Sequence, residues 1–270
     1  MLDRFDRDIN YLRISVTDKC NLRCFYCMPE EGIQHREHEE FLSFEQIAEV
    51  VRTAVDLGIN KIRLTGGEPL VKRGIVELVA MIMGIRGEAG GKVEHLAMTT
   101  NGSRLETLAG ALRRAGLDSI NISLDTLDPL RYRSITRLGE LSDTLKGIDA
   151  ALREGFPIKI NMVVFEETDK AEVRRMEEFC NQKGIKLQLI NHFSLSEEKG
   201  NHYSFDRPPN CSRCNRIRLL ADGSLKPCLH SNAEIKLDLK DIKASLVKAV
   251  QMKPERGSIC LNRNMIEIGG

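Results

Sequence analysis

Six of the eight cysteines fall into two compact triplets, and these are the residues with the most chemistry to offer. Cys20, Cys24 and Cys27 stand at C-x3-C-x2-C. Cys211, Cys214 and Cys228 stand at C-x2-C-x13-C. Thiolates are soft ligands that suit iron–sulfur clusters and zinc. Three of them can hold three corners of a cubane [4Fe–4S] cluster and leave the fourth iron without a protein ligand. A structural site usually closes its shell, whereas an open position invites a substrate or cofactor. The competing reading of each triplet is a zinc site that borrows a fourth ligand. For the first triplet that ligand would be His35 or His38, and for the second His230, Cys260, His192 or His202. The two remaining cysteines, Cys180 and Cys260, are expected to be buried.

Other residues suit the binding of a ligand beside these sulfurs. Arg216 and Arg218 lie two apart, so on a strand they share a face and form a fork for phosphate oxygens. A purely structural knuckle has no need of that pair. Lys159 is either a solvated strand end or, facing inward, a further phosphate partner. In Gly66-Gly67-Glu68-Pro69 the paired glycines let backbone approach a ligand closely, and Glu68 adds a carboxylate acceptor. Thr99-Thr100-Asn101-Gly102 and Asn121-Ile122-Ser123-Leu124-Asp125 place short hydrogen-bonding side chains at strand ends. Taken alone, each of these last three segments is equally an ordinary turn or cap.

Positioning these residues falls to a recurring strand–helix unit. Strands are predicted at Tyr11–Val16, Ile59–Thr65, Val93–Thr99, Leu117–Leu124, Ile158–Phe165 and Ile185–Ile190. Helices are predicted at 43–57, with Ser43 and Gln46 as a capping box, and at 74–85, 105–115, 141–153 and 170–183. Six strands with five helices between them, nearly six such units, imply an α/β fold with a parallel sheet, namely a partial (β/α)6 TIM-like barrel over residues 1–190. Functional residues should then lie at the carboxyl ends of the strands. Beyond residue 190 the pattern breaks. A polar connector leads to a small cysteine-rich C-terminal extension, 191–270, in which Asp222-Gly223 signals a hairpin. A last helix is expected within 238–250.

Composition narrows the function. With 40 Lys and Arg against 39 Asp and Glu, the net charge is +1, which argues against general nucleic-acid binding. The sequence has no apolar run of membrane-spanning length, and its charged N-terminal residues lack the apolar core of a signal peptide. A cytoplasmic protein is expected, and eight cysteines there point to metal or redox chemistry rather than a disulfide frame.

The C-x3-C-x2-C loop, with the aromatic Tyr26 before its last cysteine, resembles the radical S-adenosylmethionine (SAM) superfamily. Together with Gly66–Pro69, Asn121–Asp125, the second triplet and the terminal Gly269-Gly270, it resembles one family within it, the GTP 3′,8-cyclases of molybdenum cofactor biosynthesis. The resemblance runs over nearly the whole chain. It implies two [4Fe–4S] clusters, one held by Cys20, Cys24 and Cys27 and an auxiliary one held by Cys211, Cys214 and Cys228. It implies SAM contacts from Tyr26, Gly66, Gly67, Glu68, Ser123 and Phe193. It implies GTP contacts from Arg13, Arg63, Thr99, Lys159, Arg216 and Arg218, with the glycine tail reaching into the active site. In that family a 5′-deoxyadenosyl radical takes the ribose 3′ hydrogen of GTP. The carbon radical attacks C8 of guanine, and reduction with protonation gives 3′,8-cyclo-7,8-dihydro-GTP. An external electron donor and a homodimer are the expected partners, with no nucleic acid and no membrane.

The sequence departs from the family in the sixth strand, where Gln188 stands in place of an arginine and Phe193 in place of a methionine. The connector to Cys211 is also shorter than usual. Both departures concern the second half of the cavity. The alternatives are therefore a two-cluster radical SAM enzyme acting on another nucleotide or a peptide, and a non-catalytic zinc or iron–sulfur protein.

Overall fold

A computed structural model describes residues 1–33, 40–88, 90–197 and 210–269. Six parallel strands follow one another in chain order: β1 (Tyr11–Ser15), β2 (Lys61–Thr65), β3 (His95–Thr100), β4 (Ser119–Ser123), β5 (Ile158–Val164) and β6 (Lys186–Asn191). Between them lie α1 (Phe44–Asp56), α2 (Ile75–Met83), α3 (Leu105–Arg114), α4 (Pro129–Thr136), α5 (Leu141–Arg153) and α6 (Lys170–Gln182). The expected strand–helix units are present, with ends shifted by one or two residues. Ser43 and Gln46 form the expected capping box, and Gly58, at φ +82°, takes the left-handed turn that ends α1.

Alternation along each strand decides the two faces of the sheet. Leu12, Ile14, Ile62, Leu64, Leu96, Met98, Ile120, Ile122, Ile160 and Met162 point outward and are sealed under the helices. The opposite face, carrying Tyr11, Arg13, Arg63, Thr99, Asn121 and Lys159, is thereby left to line the inside of the curved sheet.

The C-terminal extension does not stand apart from this sheet. After the connector, β7 (Arg216–Leu219) pairs in parallel with β1, and β8 (Ser224–Lys226) and β9 (Ile235–Lys236) follow antiparallel. The sheet order is β6-β5-β4-β3-β2-β1-β7-β8-β9. The hairpin foreseen at Asp222-Gly223 is therefore an outgrowth of the barrel edge beside the first strand. The last helices are α7 (Ile242–Gln251) and the short α8 (Met265–Ile268). No helix among the described residues is long and apolar enough to cross a membrane.

Candidate active site

The first cysteine loop leaves the end of β1 and is tied down on two sides. Neighbouring backbone holds it first: the amides of Gly67 and Glu68 donate to the carbonyls of Thr17 (2.7 Å) and Lys19 (2.9 Å). A Cβ on Gly67 would lie 2.3 Å from the Lys19 carbonyl oxygen, so glycine is required there by space alone. The second anchor is α4, which the sequence reading missed. The amides of Arg23 and Phe25 donate to the Thr136 and Ile135 carbonyls (2.9 and 3.1 Å). Arg137, at φ +63°, returns Nη1 to the carbonyls of Arg23 and Met28, each at 3.2 Å. Signals for this helix were present in Asp128, which caps it, and Pro129 at its first turn. Its weak amphipathicity concealed them.

Cys20, Cys24 and Cys27 are reduced and half-buried on this loop. Burial, with the charge of Glu68, pushes the Cys20 thiol up to about 11. Burial, with Asp125, pushes Cys27 up to about 12 and also raises Cys24. Asp125 is itself raised to about 6 by burial, accepts from Tyr26 Oη at 2.8 Å and from the Val163 amide at 2.8 Å, and so fixes the tyrosine beside the sulfurs. Glu68 is fully committed: its carboxylate accepts from Thr100 Oγ1 (2.6 Å) and from the Asn101 and Leu70 amides (2.7 and 3.0 Å). It ties the β2 and β3 loops together, so what this turn can offer a ligand is backbone. Ser123 ends β4 in register with Asn161, whose buried Oδ1 has no hydrogen-bond partner among the described residues.

Phe193 is one of the residues expected to border SAM. It packs with Leu195, Leu220, Leu229 and Ile268 and against the His230 ring at 5.2 Å. His192 takes the other side, its ring tilted against Phe165 (5.3 Å) and edge-on to Tyr26 (6.4 Å). Consecutive residues of extended chain point to opposite faces, so one of the two must leave the Tyr26 side.

Inside the sheet the cations form a row. Arg218, Arg13 and Arg63 are register partners on β7, β1 and β2. Two residues earlier on each strand, Arg216 lies opposite Tyr11, its guanidinium 5.9 Å from the ring centre. Arg63 donates Nε to Tyr11 Oη and Nη1 to Thr99 Oγ1 (3.2 Å). Thr99, Asn121 and Lys159 continue across β3, β4 and β5, and Lys159 Nζ donates to Gln188 Oε1 at 3.3 Å. Arg218 is 4% exposed and is lowered to about 10 by burial and by Arg216. Burial and Arg218 lower Arg13 as well. No salt bridge to a carboxylate among the described residues involves Arg63, Arg216 or Arg218, and the Nε atoms of Arg216 and Arg218 lack hydrogen-bond partners there. Arg13 Nη2 donates to the Gly269 carbonyl at 2.8 Å, so the glycine tail does reach the cavity. Gly270, His35, His38, His202 and most of the connector lie outside the described residues.

The second triplet sits at the start of β7 and just after β8, beside Arg216 and Arg218. Burial alone would raise the Cys214 thiol. The Lys253 ammonium and the Arg216 amide and guanidinium overcome that and hold it below its ordinary value. Cys260 is buried in the apolar cluster of Leu195, Leu220 and Ile268, and Cys180 in the main core, as expected. Among the described residues no group of three His, Cys, Asp or Glu side chains is arranged around one metal ion. Three reduced thiols on an anchored loop, a glycine at van der Waals limit and an unpartnered Asn161 carbonyl oxygen fit a cluster with an open corner and a ligand bound across the strand ends.

Comparison with known proteins agrees with this geometry. The model of the radical SAM superfamily matches residues 14–180. The chain is 38% identical to the GTP 3′,8-cyclase of Alkaliphilus metalliredigens over 325 aligned residues, with all of both chains covered. This protein belongs to the radical SAM superfamily and, within it, to the GTP 3′,8-cyclase family.

The GTP 3′,8-cyclase of Petrotoga mobilis is 36% identical over 328 aligned residues, again across both chains entirely. These alignments exceed the 270 residues here, so the relatives contain residues without a counterpart in this radical SAM chain. Among solved structures, Streptococcus suis SuiB bound to S-adenosylmethionine superposes with a TM-score of 0.70 at 15% identity, covering 92% of this chain and 66% of SuiB. Native anSMEcpe with bound AdoMet gives 0.66 at 16%, covering 91% and 81%. At such identities the likeness concerns the fold, the partial barrel. As a radical SAM protein the chain works with SAM and a [4Fe–4S] cluster.

Proposed function

We propose that this radical SAM enzyme converts GTP to 3′,8-cyclo-7,8-dihydro-GTP, drawing on an external electron donor in the cytoplasm. Cys20, Cys24 and Cys27 hold the SAM cluster, and Cys211, Cys214 and Cys228 hold an auxiliary one at the other side of the cavity. When bound, SAM and its cluster supply a 5′-deoxyadenosyl radical that can take hydrogen from a substrate carbon.

The chain's own residues then bind, orient and enclose. Tyr26, fixed by Asp125, borders SAM together with Gly66, Gly67, Glu68 and Ser123. Arg13, Arg63, Arg218 and Arg216 converge on the triphosphate, with Thr99 and Lys159 along the same face. The observation that carries the reading is this row of guanidinium groups in a partly buried interior. Like charges so placed repel, and an anion with several oxygens relieves the repulsion through charge-assisted, bidentate hydrogen bonds. A held triphosphate orients the ribose, and enclosure in the barrel keeps water from a reactive radical.

The test is anaerobic turnover of GTP deuterated at the ribose 3′ position, with SAM and reductant. Deuterium is expected in 5′-deoxyadenosine, together with a product of the mass of unlabelled GTP in which C8 keeps its hydrogen but has become a saturated carbon, so that its proton leaves the aromatic region. 5′-Deoxyadenosine formed without deuterium from GTP would overturn the substrate assignment.

A further inference from the structure

Beneath the second cysteine triplet lie two buried cations that the cavity does not use. Lys253 follows α7 and is 2% exposed. Lysine is almost never so buried unless paired. Its Nζ donates to the carbonyls of Arg216 (2.8 Å) and Pro227 (2.9 Å). Arg216 comes two residues after Cys214, and Pro227 immediately precedes Cys228, so one ammonium joins two sulfur-bearing segments. No salt bridge to a carboxylate among the described residues involves Lys253. Cys214, Cys228 and Arg7 stand around it.

Arg7 braces the third segment. It is 6% exposed and pairs through Nε with Asp3 at 2.7 Å, which neutralises it. Nη1 donates to the carbonyls of Cys211 (2.8 Å) and Glu255 (3.0 Å), and Nη2 to that of Pro254 (2.7 Å). Arg7 therefore sets position, while Lys253 brings a charge that no carboxylate cancels.

Resting on the two-cluster reading above, we propose that Lys253 and Arg7 form a buried cationic seat for the auxiliary cluster, Arg7 positioning the Cys211 segment and Lys253 raising the cluster's reduction potential. Net charge and hydrogen bonding near the sulfurs are the means by which a protein sets such potentials.

The test uses the full chain, reconstituted anaerobically, with Lys253→Met as the variant of similar size. In a Cys24→Ala background the auxiliary cluster is read alone. Roughly four irons per chain are expected there, and Lys253→Met should lower the midpoint potential while the iron stays bound. In a Cys214→Ala background Lys253→Met should leave the SAM cluster's potential unchanged. Loss of the auxiliary cluster alone in Lys253→Met would also support the seat. An unchanged auxiliary potential with full iron, or collapse of both clusters with a lowered melting temperature, would overturn it. Absence of iron from the second triplet while Lys253 is intact would instead strike the two-cluster reading itself.

Discussion

The two cysteine loops offer the same ligand type in opposite electrical surroundings. Around the first stand Asp125 and Glu68, both buried carboxylates, and its thiols are pushed upward, Cys20 to about 11 and Cys27 to about 12, by burial and those charges. Around the second stand Lys253, Arg216 and Arg218. There burial also acts on Cys214, but the cations outweigh it and hold the thiol low. Negative surroundings favour the more oxidised state of a cluster and make its reduced form a stronger electron donor. Positive surroundings do the reverse and draw in an anion. On the proposed assignment, the carboxylates of the first loop suit the side that cleaves SAM, and the cations of the second suit the seat of a negatively charged substrate.

The largest effects should come from exchanging one ligand at each site. Cys24→Ala should abolish 5′-deoxyadenosine formation, a loss of about a hundredfold or more, since even an outer-shell change typically costs tenfold to a hundredfold. Cys214→Ala should keep SAM cleavage while losing the cyclised product. If both variants lose cleavage alike, the division of labour between the loops is wrong. Next in size is the arginine pair. Arg216→Ala with Arg218→Ala removes charge-assisted contacts worth about 1.5–3 kcal/mol each, so GTP affinity should fall at least about tenfold and lose part of its dependence on salt. Titration of GTP into the SAM-free protein measures this, and SAM affinity should stay unchanged.

Gly67→Ala tests the first loop by space alone. Its Cβ would meet the Lys19 carbonyl at 2.3 Å, which must move the loop at a cost of about 1–3 kcal/mol. A lower melting temperature and weaker SAM binding are expected, and wild-type values for both would show that the loop yields freely. The smallest effect lies at the Arg263 hub near the second loop, where Arg263 pairs with Asp222 and Glu234 at 2.8 Å each. Burial would raise both carboxylates, but Arg263 and, for Asp222, the Ser224 amide outweigh it and hold them below their ordinary 3.8 and 4.5. Their stabilisation is therefore complete above those values and fades as pH falls through the lower, folded ones. Arg263→Met should cost about 1–2 kcal/mol at pH 7. Its melting curve should approach that of the parent as the pH falls toward 3, and a gap that stays constant with pH would assign the loss to packing.

Much of this was legible from local pattern. The six parallel strands and most of the helices between them, the capping box at Ser43 and the hairpin at Asp222-Gly223 are written in periodicities and turn residues that act over a few positions. The cysteine spacings, the paired glycines and the two-apart arginines are local in the same sense. What escaped was long-range. The anchor of the first loop by α4 joins residues more than a hundred positions apart through backbone carbonyls, which no side-chain pattern announces. Tyr11 read as a strand start and proved to be a partner of Arg63 and Arg216. That His192 rather than Phe193 meets Tyr26 and Phe165 follows from the alternating facing of an extended chain, where one residue decides the side.

From its residues alone, then, this protein determines its elements, its thiolate triplets and the kinds of ligand each patch favours, because those follow from side-chain chemistry and short spacings. Folding decided that β7 lies against β1, and that alignment brought Arg218 level with Arg13 and Arg63. It also decided that Lys253, from the far end of the chain, is sealed under the second triplet. Charge acts through distance in space, and that distance exists only once the sheet has closed around it.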